Sequence, residues 1–489
     1  MGGCHRSGVE DSDRFAAQLG CNLVSFMLLG SCIVSTCAPL GDAVNSAAGD
    51  HLLRSRTDRA KMWVAPFEET PDQRGVMFPK DRDGDLLRLK RVTTQQASES
   101  RPVLTEDEIM ALPKTLQDVF VNKDGSLATK RAVIGDPRND ENLFISQLHL
   151  AFLRLHNAFV DAFPNPRKAG DSDKVFAWAK EQVQLHYQWL VANVYLPSIC
   201  DPVALGQVIE GEAAMYRNFV KACDVQAHNH RPMPLEFSLA AFRMGHSMVR
   251  GAYDWNKFFG RSEGESILPD APFGEMFRFT GSGGLGGADR LVRIWGADWS
   301  RLVMRPTRFA DRAARRIDTQ LAPPLKVMRN EGNDTNASAD KNTRQKNLID
   351  RNLRRGTRMN VASAQACIAS LERDLNVKID RLTKDELRSG RTGRAVQQGG
   401  FDDATPLWFY VLKEAEVMGG GDRLGPLGTH LVAGTLMGLL MTDTDSAWNT
   451  PGSIDGKWHP VDGAQPNGEL VDSFAGMVRA AGLMATAQI

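Results

Sequence analysis

From 142 to 163 the chain carries neither Gly nor Pro and is dominated by Leu, Phe, His and Ala, until Pro164-Asn165-Pro166 stops it. That composition predicts a mostly buried helix ended by proline. Phe176, Ala179, Val183, Tyr187, Leu190 and Val194 then recur every three or four residues ahead of Pro197. This is the period of a helix, expected over 172–195. A third helix is expected over 235–250, entered through Pro232 and Pro234. Further helices are expected at 308–318, 345–355, 362–374, 407–417 and 427–441, with a weaker case at 105–120. Long alternating runs are absent. The fold class is mainly α, with long loops.

Residues 40–131 are polar and irregular, with loop-like clusters such as Lys80-Asp81-Arg82-Asp83-Gly84-Asp85. Residues 330–344 read as a polar, solvated loop, in which Asn333 and Asn336 head N-x-S/T triplets. The stretch Gly281–Gly287 contains GxGxxG. A dinucleotide site needs a strand before that motif and a helix after it. Phe277–Thr280 is a thin strand candidate, so a turning loop is the better reading.

Charge is balanced, 59 Lys plus Arg against 59 Asp plus Glu, so nothing points to nucleic acid or an anionic membrane. Cys4, Cys21, Cys32 and Cys37 crowd the N-terminus, and Cys200, Cys223 and Cys367 are scattered. That spacing fits neither a zinc site nor a dense disulfide framework. Residues 19–39 are almost free of charge and read as a secretory segment or an anchor, with acidic residues before it that are atypical of one. Gly2 begins a near miss to a myristoylation pattern, with Arg6 where Ser or Thr is wanted.

Three segments carry candidate chemistry. Arg138 and Glu141 stand three apart at a Pro-led helix start. By themselves they make an ordinary N-terminal turn. His246 lies on the 235–250 segment, with Gly245 beside it removing a side chain, so a flat macrocycle could approach. A neutral imidazole is a natural axial ligand for haem iron, although a hydrogen-bonded core histidine is the commoner use of such a position. Asn352 lies in Asn352-Leu353-Arg354-Arg355-Gly356.

The wording "GDPRNDENLFISQLHLAFLRLHNAFVD", "PLEFSLAAFRMGHSMVRGAYDWN" and "NLIDRNLRRG" resembles the animal-type haem peroxidase family. "FTGSGGLGGADRL", "RRIDTQLAPPL" and "TPLWFYVLKEAEVMGGGDRLGPLGTHLVAGTLMGLL" match in order, most like the peroxinectin-like, bacterial-type branch. The resemblance covers about three quarters of the chain, from about 132 to the C-terminus. It implies a large helical haem peroxidase domain over 132–489, after a possible signal peptide or anchor at 1–40 and a divergent, loop-rich region at 41–131. It implies haem b with His246 as axial ligand to the iron and Asn352 accepting from its other ring nitrogen. Arg138 would stabilise charge as the O–O bond breaks. Glu141 stands where some members form an ester to a haem methyl.

One family feature is missing. The distal segment G-Q-x-x-D-H-D is not recognisable, nor is the calcium pattern attached to it. The closest remnant is Gly49-Asp50-His51-Leu52. Loss of a distal base slows peroxide cleavage by roughly 10² to 10⁴. The resemblance implies an enzyme of oxidative-stress chemistry that takes hydrogen peroxide and a small electron donor, and the 19–39 run adds the expectation that it is secreted or extracellular. Membrane contact is expected only if 19–39 is an anchor. The rivals are a fatty-acid dioxygenase on the same scaffold and a non-catalytic haem-binding or adhesion protein. The dioxygenase chemistry needs a tyrosyl radical, and the chain has only Tyr187, Tyr195, Tyr216, Tyr253 and Tyr410.

Overall fold

The computed structural model describes residues 54–68, 83–96, 100, 102–112, 114–134, 136–223, 232–262, 266–304, 309–328, 331–333 and 335–484. The apolar 19–39 run, the first four cysteines and His51 lie outside them. Among the described residues helices dominate. Named strands form two antiparallel pairs, Val64–Pro66 with Asp83–Leu86 and Ala252–Tyr253 with Ala271–Pro272. The architecture is mainly α with long connections. No helix among the described residues is long and apolar enough to cross a membrane. Cys200, Cys223 and Cys367 are free thiols.

Contacts divide the chain into two compact units. In the described residues one comprises the chain up to Tyr187, Ala252–Met304 and the segment from Pro460. It contains Arg138. The other comprises Gln188–Gly251 and Arg305–His459, and contains His246.

The Arg138 unit is built around the helix Leu143–Asp161, in which fifteen of nineteen residues are buried. Asn142 caps it, its Oδ1 accepting from the Ile145 amide at 3.1 Å. A side chain such as Leu or Phe gains about 1.5–3 kcal/mol on full burial, and this helix spends nearly all its positions that way. Gln147 donates from Nε2 to the Gly84 carbonyl at 3.0 Å, tying the helix to the Asp83–Leu86 strand. Ring contacts join it to Ser172–Leu190, Phe152 edge-on to Tyr187 and Phe159 against His186.

Local differences from the sequence reading have physical causes. In place of the single helix expected over 105–120 there are two, Glu106–Met110 and Lys114–Phe120, and the sequence between them carries a proline. Phe277 and Arg278 close the helix Phe273–Arg278 instead of forming a strand. The glycine-rich loop after it runs left-handed, with φ of 75° at Gly284, 54° at Leu285, 65° at Gly286 and 104° at Gly287. Only glycine takes such a run cheaply, and with no strand ahead of it the dinucleotide geometry is not met.

The core of the His246 unit is the helix Pro426–Met441, with thirteen of sixteen residues buried. The helices Pro202–Glu210 and Ala214–Ala222 pack on it. At Gly438 an added Cβ would sit 2.3 Å from the Cβ of Tyr216, so only hydrogen fits that crossing. Leu407–Met418 lies against the same helix.

The helical path from Ser172 does not stop before Pro197. A π turn, Val191–Tyr195, leads into Leu196–Ile199 with Pro197 in its first turn. Pro197 removes one donor from this path, and the π turn just before it is the kind of local irregularity that accommodates such a loss. The helix expected over 308–318 is absent apart from the 3-10 turn Ala310–Arg312. Distant carbonyls take its amides instead, Met248 from Arg315 at 3.1 Å and Gly421 from Ile317 at 2.7 Å. In the stretch expected to be a loop over 330–344 a helix with no buried residue begins, Ala339–Lys346, capped by Ser338. Asn347 then starts a second helix, Leu348–Arg358, by accepting from Ile349 and Asp350. Residues 364–375 form the expected helix, Ala364–Leu375.

Candidate functional site

His246 sits on a broken helix. A π turn, Glu236–Ala240, passes into a 3-10 turn, Ala241–Met244, and then into the single α turn Gly245–Met248. The break falls at Ala240, with φ −128° and ψ −80°. Mixed π and 3-10 geometry of this kind re-aims side chains and is common at functional sites. The segment is pinned by the Trp408 indole, which donates from Nε1 to the Arg243 carbonyl at 3.1 Å, and by Ser247 Oγ donating to the Met244 carbonyl at 2.8 Å.

The helix Leu348–Arg358 has one fully buried side chain, Asn352. Its Nδ2 lies 2.7 Å from His246 Nδ1. Its Oδ1 accepts from Arg243 Nη1 at 3.5 Å. Which partner donates depends on the ring's tautomer and on which way the amide is turned. Arg243, which has donors only, favours the amide oxygen on its own side. Nδ1 then accepts, and a neutral ring carries its hydrogen on Nε2. Turning the amide over would let Nδ1–H donate to Oδ1 and leave the Nε2 lone pair outward, the form a metal ligand needs. Nε2 makes no hydrogen bond among the described residues.

Burial, and then Arg243, Arg351 and Arg355, push the His246 imidazole down to about 3. It is neutral at ordinary pH. Burial and the two other arginines push Arg243 down to about 10. Arg351 pairs with Glu331 at 2.8 Å. Arg243 Nε is buried without a partner, and no carboxylate pairs with Arg243 or Arg355 among the described residues. An imidazole with a free outer nitrogen beside unneutralised guanidiniums suits an iron macrocycle bearing acid groups. Haem meets that description, so the residues fit it.

Arg138 and Glu141 lie in the other unit. Asp136 caps the turn Pro137–Asp140 and clasps the Arg138 guanidinium, with Nε 2.9 Å from Oδ1 and Nη2 2.5 Å from Oδ2. The Arg138 side chain is 59% exposed. The Glu141 carbonyl accepts from Thr280 Oγ1 at 3.2 Å. Just inside lies a buried ion triad. Arg88 Nη1 meets Asp140 Oδ2 at 2.5 Å, and its Nε meets Asp85 Oδ2 at 2.9 Å. Both amide atoms of Asn139, the second oxygen of Asp140 and both ring nitrogens of His149 are buried without partners. Burial pushes His149 down to about 4.

Sequence reasoning missed Arg243, Arg355, Asp136 and Arg88. For the first two a signal existed: Arg243 precedes His246 by three positions and Arg355 follows Asn352 by three, one helical turn in each case. No group of three or more His, Cys, Asp or Glu among the described residues could hold a metal ion.

Residues 88–300 match the family model described as animal haem peroxidase. A stretch of 137 residues is 28% identical to Peroxidase mlt-7 of Caenorhabditis elegans, covering 28% of this chain and 17% of that protein. A stretch of 115 residues is 30% identical to thyroid peroxidase of Sus scrofa, covering 24% of this chain and 11% of that protein. Among solved structures, Peroxidase A from Dictyostelium discoideum aligns over 81% of this chain and 60% of its own, at 16% identity and a TM-score of 0.48. The match over residues 88–300 and the curated relatives support an animal-type haem peroxidase assignment for that part of the chain. Its matches span less than a fifth of the length of these curated relatives.

Proposed function

We propose that this chain binds haem b through His246 and reduces hydrogen peroxide while oxidising a small electron donor, one peroxide and two donor hydrogens giving two waters and two donor radicals. The observation that carries the reading is the 2.7 Å contact of Asn352 with His246 Nδ1; with the amide turned so that Nδ1–H donates to its oxygen, Nε2 is the nitrogen left to a ligand. When bound, haem supplies the redox chemistry. His246 would hold it, and Asn352 would fix the imidazole's plane and basicity. Arg243 and Arg355 would offer charge to its acid groups. Arg138, oriented by Asp136, would supply a fixed positive charge where oxygen charge develops. Glu141 is the candidate for a covalent ester.

A second reading has its own support. The G-Q-x-x-D-H-D segment is not recognisable in the sequence, and its closest remnant, Gly49-Asp50-His51, lies ahead of the matched residues 88–300. A chain without that base binds haem with little turnover. One experiment separates the outcomes. The parent and His246→Ala are reconstituted with hemin, and the Soret band, haem stoichiometry and donor oxidation are measured. Equal haem binding by the two sinks the ligand assignment. Full binding by the parent with no activity above free hemin favours the non-catalytic reading.

A further inference from the structure

The His246 unit carries a cavity of about 320 Å³ that none of the chemistry above uses. Its walls include three indoles, Trp189, Trp448 and Trp458. Trp458 is buried, while the other two are partly exposed. His459 stands edge-on to Trp189 at 4.9 Å between ring centroids. The Lys457 ammonium covers one face of Trp448 at 3.5 Å.

The rim is preorganised. Ile454 and Lys457 bridge across a tight turn, with the Lys457 amide donating to the Ile454 carbonyl at 2.9 Å. Its central residues, Asp455 and Gly456, have φ of 51° and 72°. Asp-Gly with positive φ at both positions is the chemistry of a hairpin turn that holds its shape. The Trp458 amide donates back to the Thr450 carbonyl at 2.9 Å, closing the loop that carries the wall. On the opposite side Asn193 is anchored by Nδ2 donating to the Trp189 carbonyl at 3.0 Å, leaving its oxygen to a ligand. The indole N–H groups of Trp189 and Trp448 make no hydrogen bond among the described residues.

We propose that this cavity is a sugar-binding site, taking a single pyranose ring or the terminal residue of a glycan. Flat indole faces suit the C–H face of a pyranose, as they suit any flat apolar surface. Around them stand two indole N–H donors, the Asn193 oxygen, the Asp455 carboxylate and the Lys457 ammonium. A phenol brings one hydroxyl to that set and would leave most of it desolvated and unpaired, which is costly. A pyranose brings several hydroxyls around an apolar face and matches the mixture.

The test uses the full chain and four probes: methyl β-D-glucopyranoside, methyl β-D-galactopyranoside, methyl α-D-mannopyranoside and N-acetylglucosamine. Saturation-transfer NMR and calorimetry read binding; guaiacol is the aromatic control. At least one sugar is expected to bind saturably in the millimolar range, with the strongest saturation on its ring C–H protons. Trp448→Ala and the surface variant Asn193→Ala should each weaken it tenfold or more, with circular dichroism unchanged. Three results overturn the proposal: no saturable binding of any sugar, sugar binding untouched by both variants, or guaiacol binding lost in Trp448→Ala where the sugars do not bind.

Discussion

The imidazole of His246 and the amide of Asn352 meet at 2.7 Å across two helices that are 106 residues apart in the chain. Asn352 is the one buried residue of its helix, Leu348–Arg358, and its amide is what that helix presents to the imidazole. Asn352→Ala would remove the partner of Nδ1. Losses of this kind typically cost about 10-fold to 100-fold in metal affinity or activity. Hemin retention in competition with apomyoglobin is expected to fall by that order, with far-ultraviolet circular dichroism unchanged. Retention equal to the parent would remove Asn352 from the ligand's support.

Arg88 is fully buried between Asp85 and Asp140. Replacing such a pair with apolar groups can be neutral, but removing one partner leaves uncompensated buried charge, at about 3–5 kcal/mol. Arg88→Met is therefore expected to lose that much in urea unfolding at pH 8. Burial already raises the Asp140 carboxyl, and Arg88 pulls it down. Without Arg88 the carboxyls protonate more readily, so the loss should shrink at pH 5. A variant as stable as the parent at pH 8 would show that the triad is not held as described.

Glu414 is buried, accepting at 3.0 Å from the amides of Leu427 and Gly428 at the start of Pro426–Met441. Burial raises it from 4.5 to about 7, against those two bonds and helped by Asp201. A carboxyl raised on folding gives stability that is whole below 4.5 and is lost as pH climbs through 7. The span is worth roughly 3 kcal/mol. Buried His149, His156 and His186, all pushed down to about 4, act in the opposite sense: their contribution is present above 6.5 and lost as pH falls toward 4. Melting of the parent and Glu414→Gln at pH 5 and pH 8 isolates the carboxyl. The parent's advantage over the variant should diminish at pH 8. Parallel pH dependences would contradict it.

How far these features are legible in the sequence follows from their range. Leu143–Asp161 is readable because burial, capping and the proline stop are all local. Ala339–Lys346 is not, since a helix with no buried residue leaves no apolar period to detect. The segment 308–318 misleads for the opposite reason: its composition permits a helix, but Met248 and Gly421 take its amides. At the site, residue types and family wording single out His246 and Asn352. The direction of their hydrogen bond depends on Arg243, which only the folded chain brings to the amide.

The last prediction concerns turnover. Arg138 keeps its charge at any working pH, so it can stabilise developing negative charge but cannot take a proton from peroxide. Its removal should therefore affect the stabilising part of the barrier alone, by ~3 kcal/mol, or about 10²-fold in rate. Asp136 holds the guanidinium through two of its nitrogens, so Asp136→Asn should weaken its aim and give an intermediate loss. Peroxide-dependent donor oxidation is to be measured for the parent, both variants and His51→Ala at matched haem loading. The expected order is parent, then Asp136→Asn, then Arg138→Ala, with His51→Ala equal to the parent because proton transfer runs through water. Arg138→Ala matching the parent would end its catalytic assignment. Loss of activity in His51→Ala would make the Asp50-His51 remnant the distal base, and the water route would then be wrong.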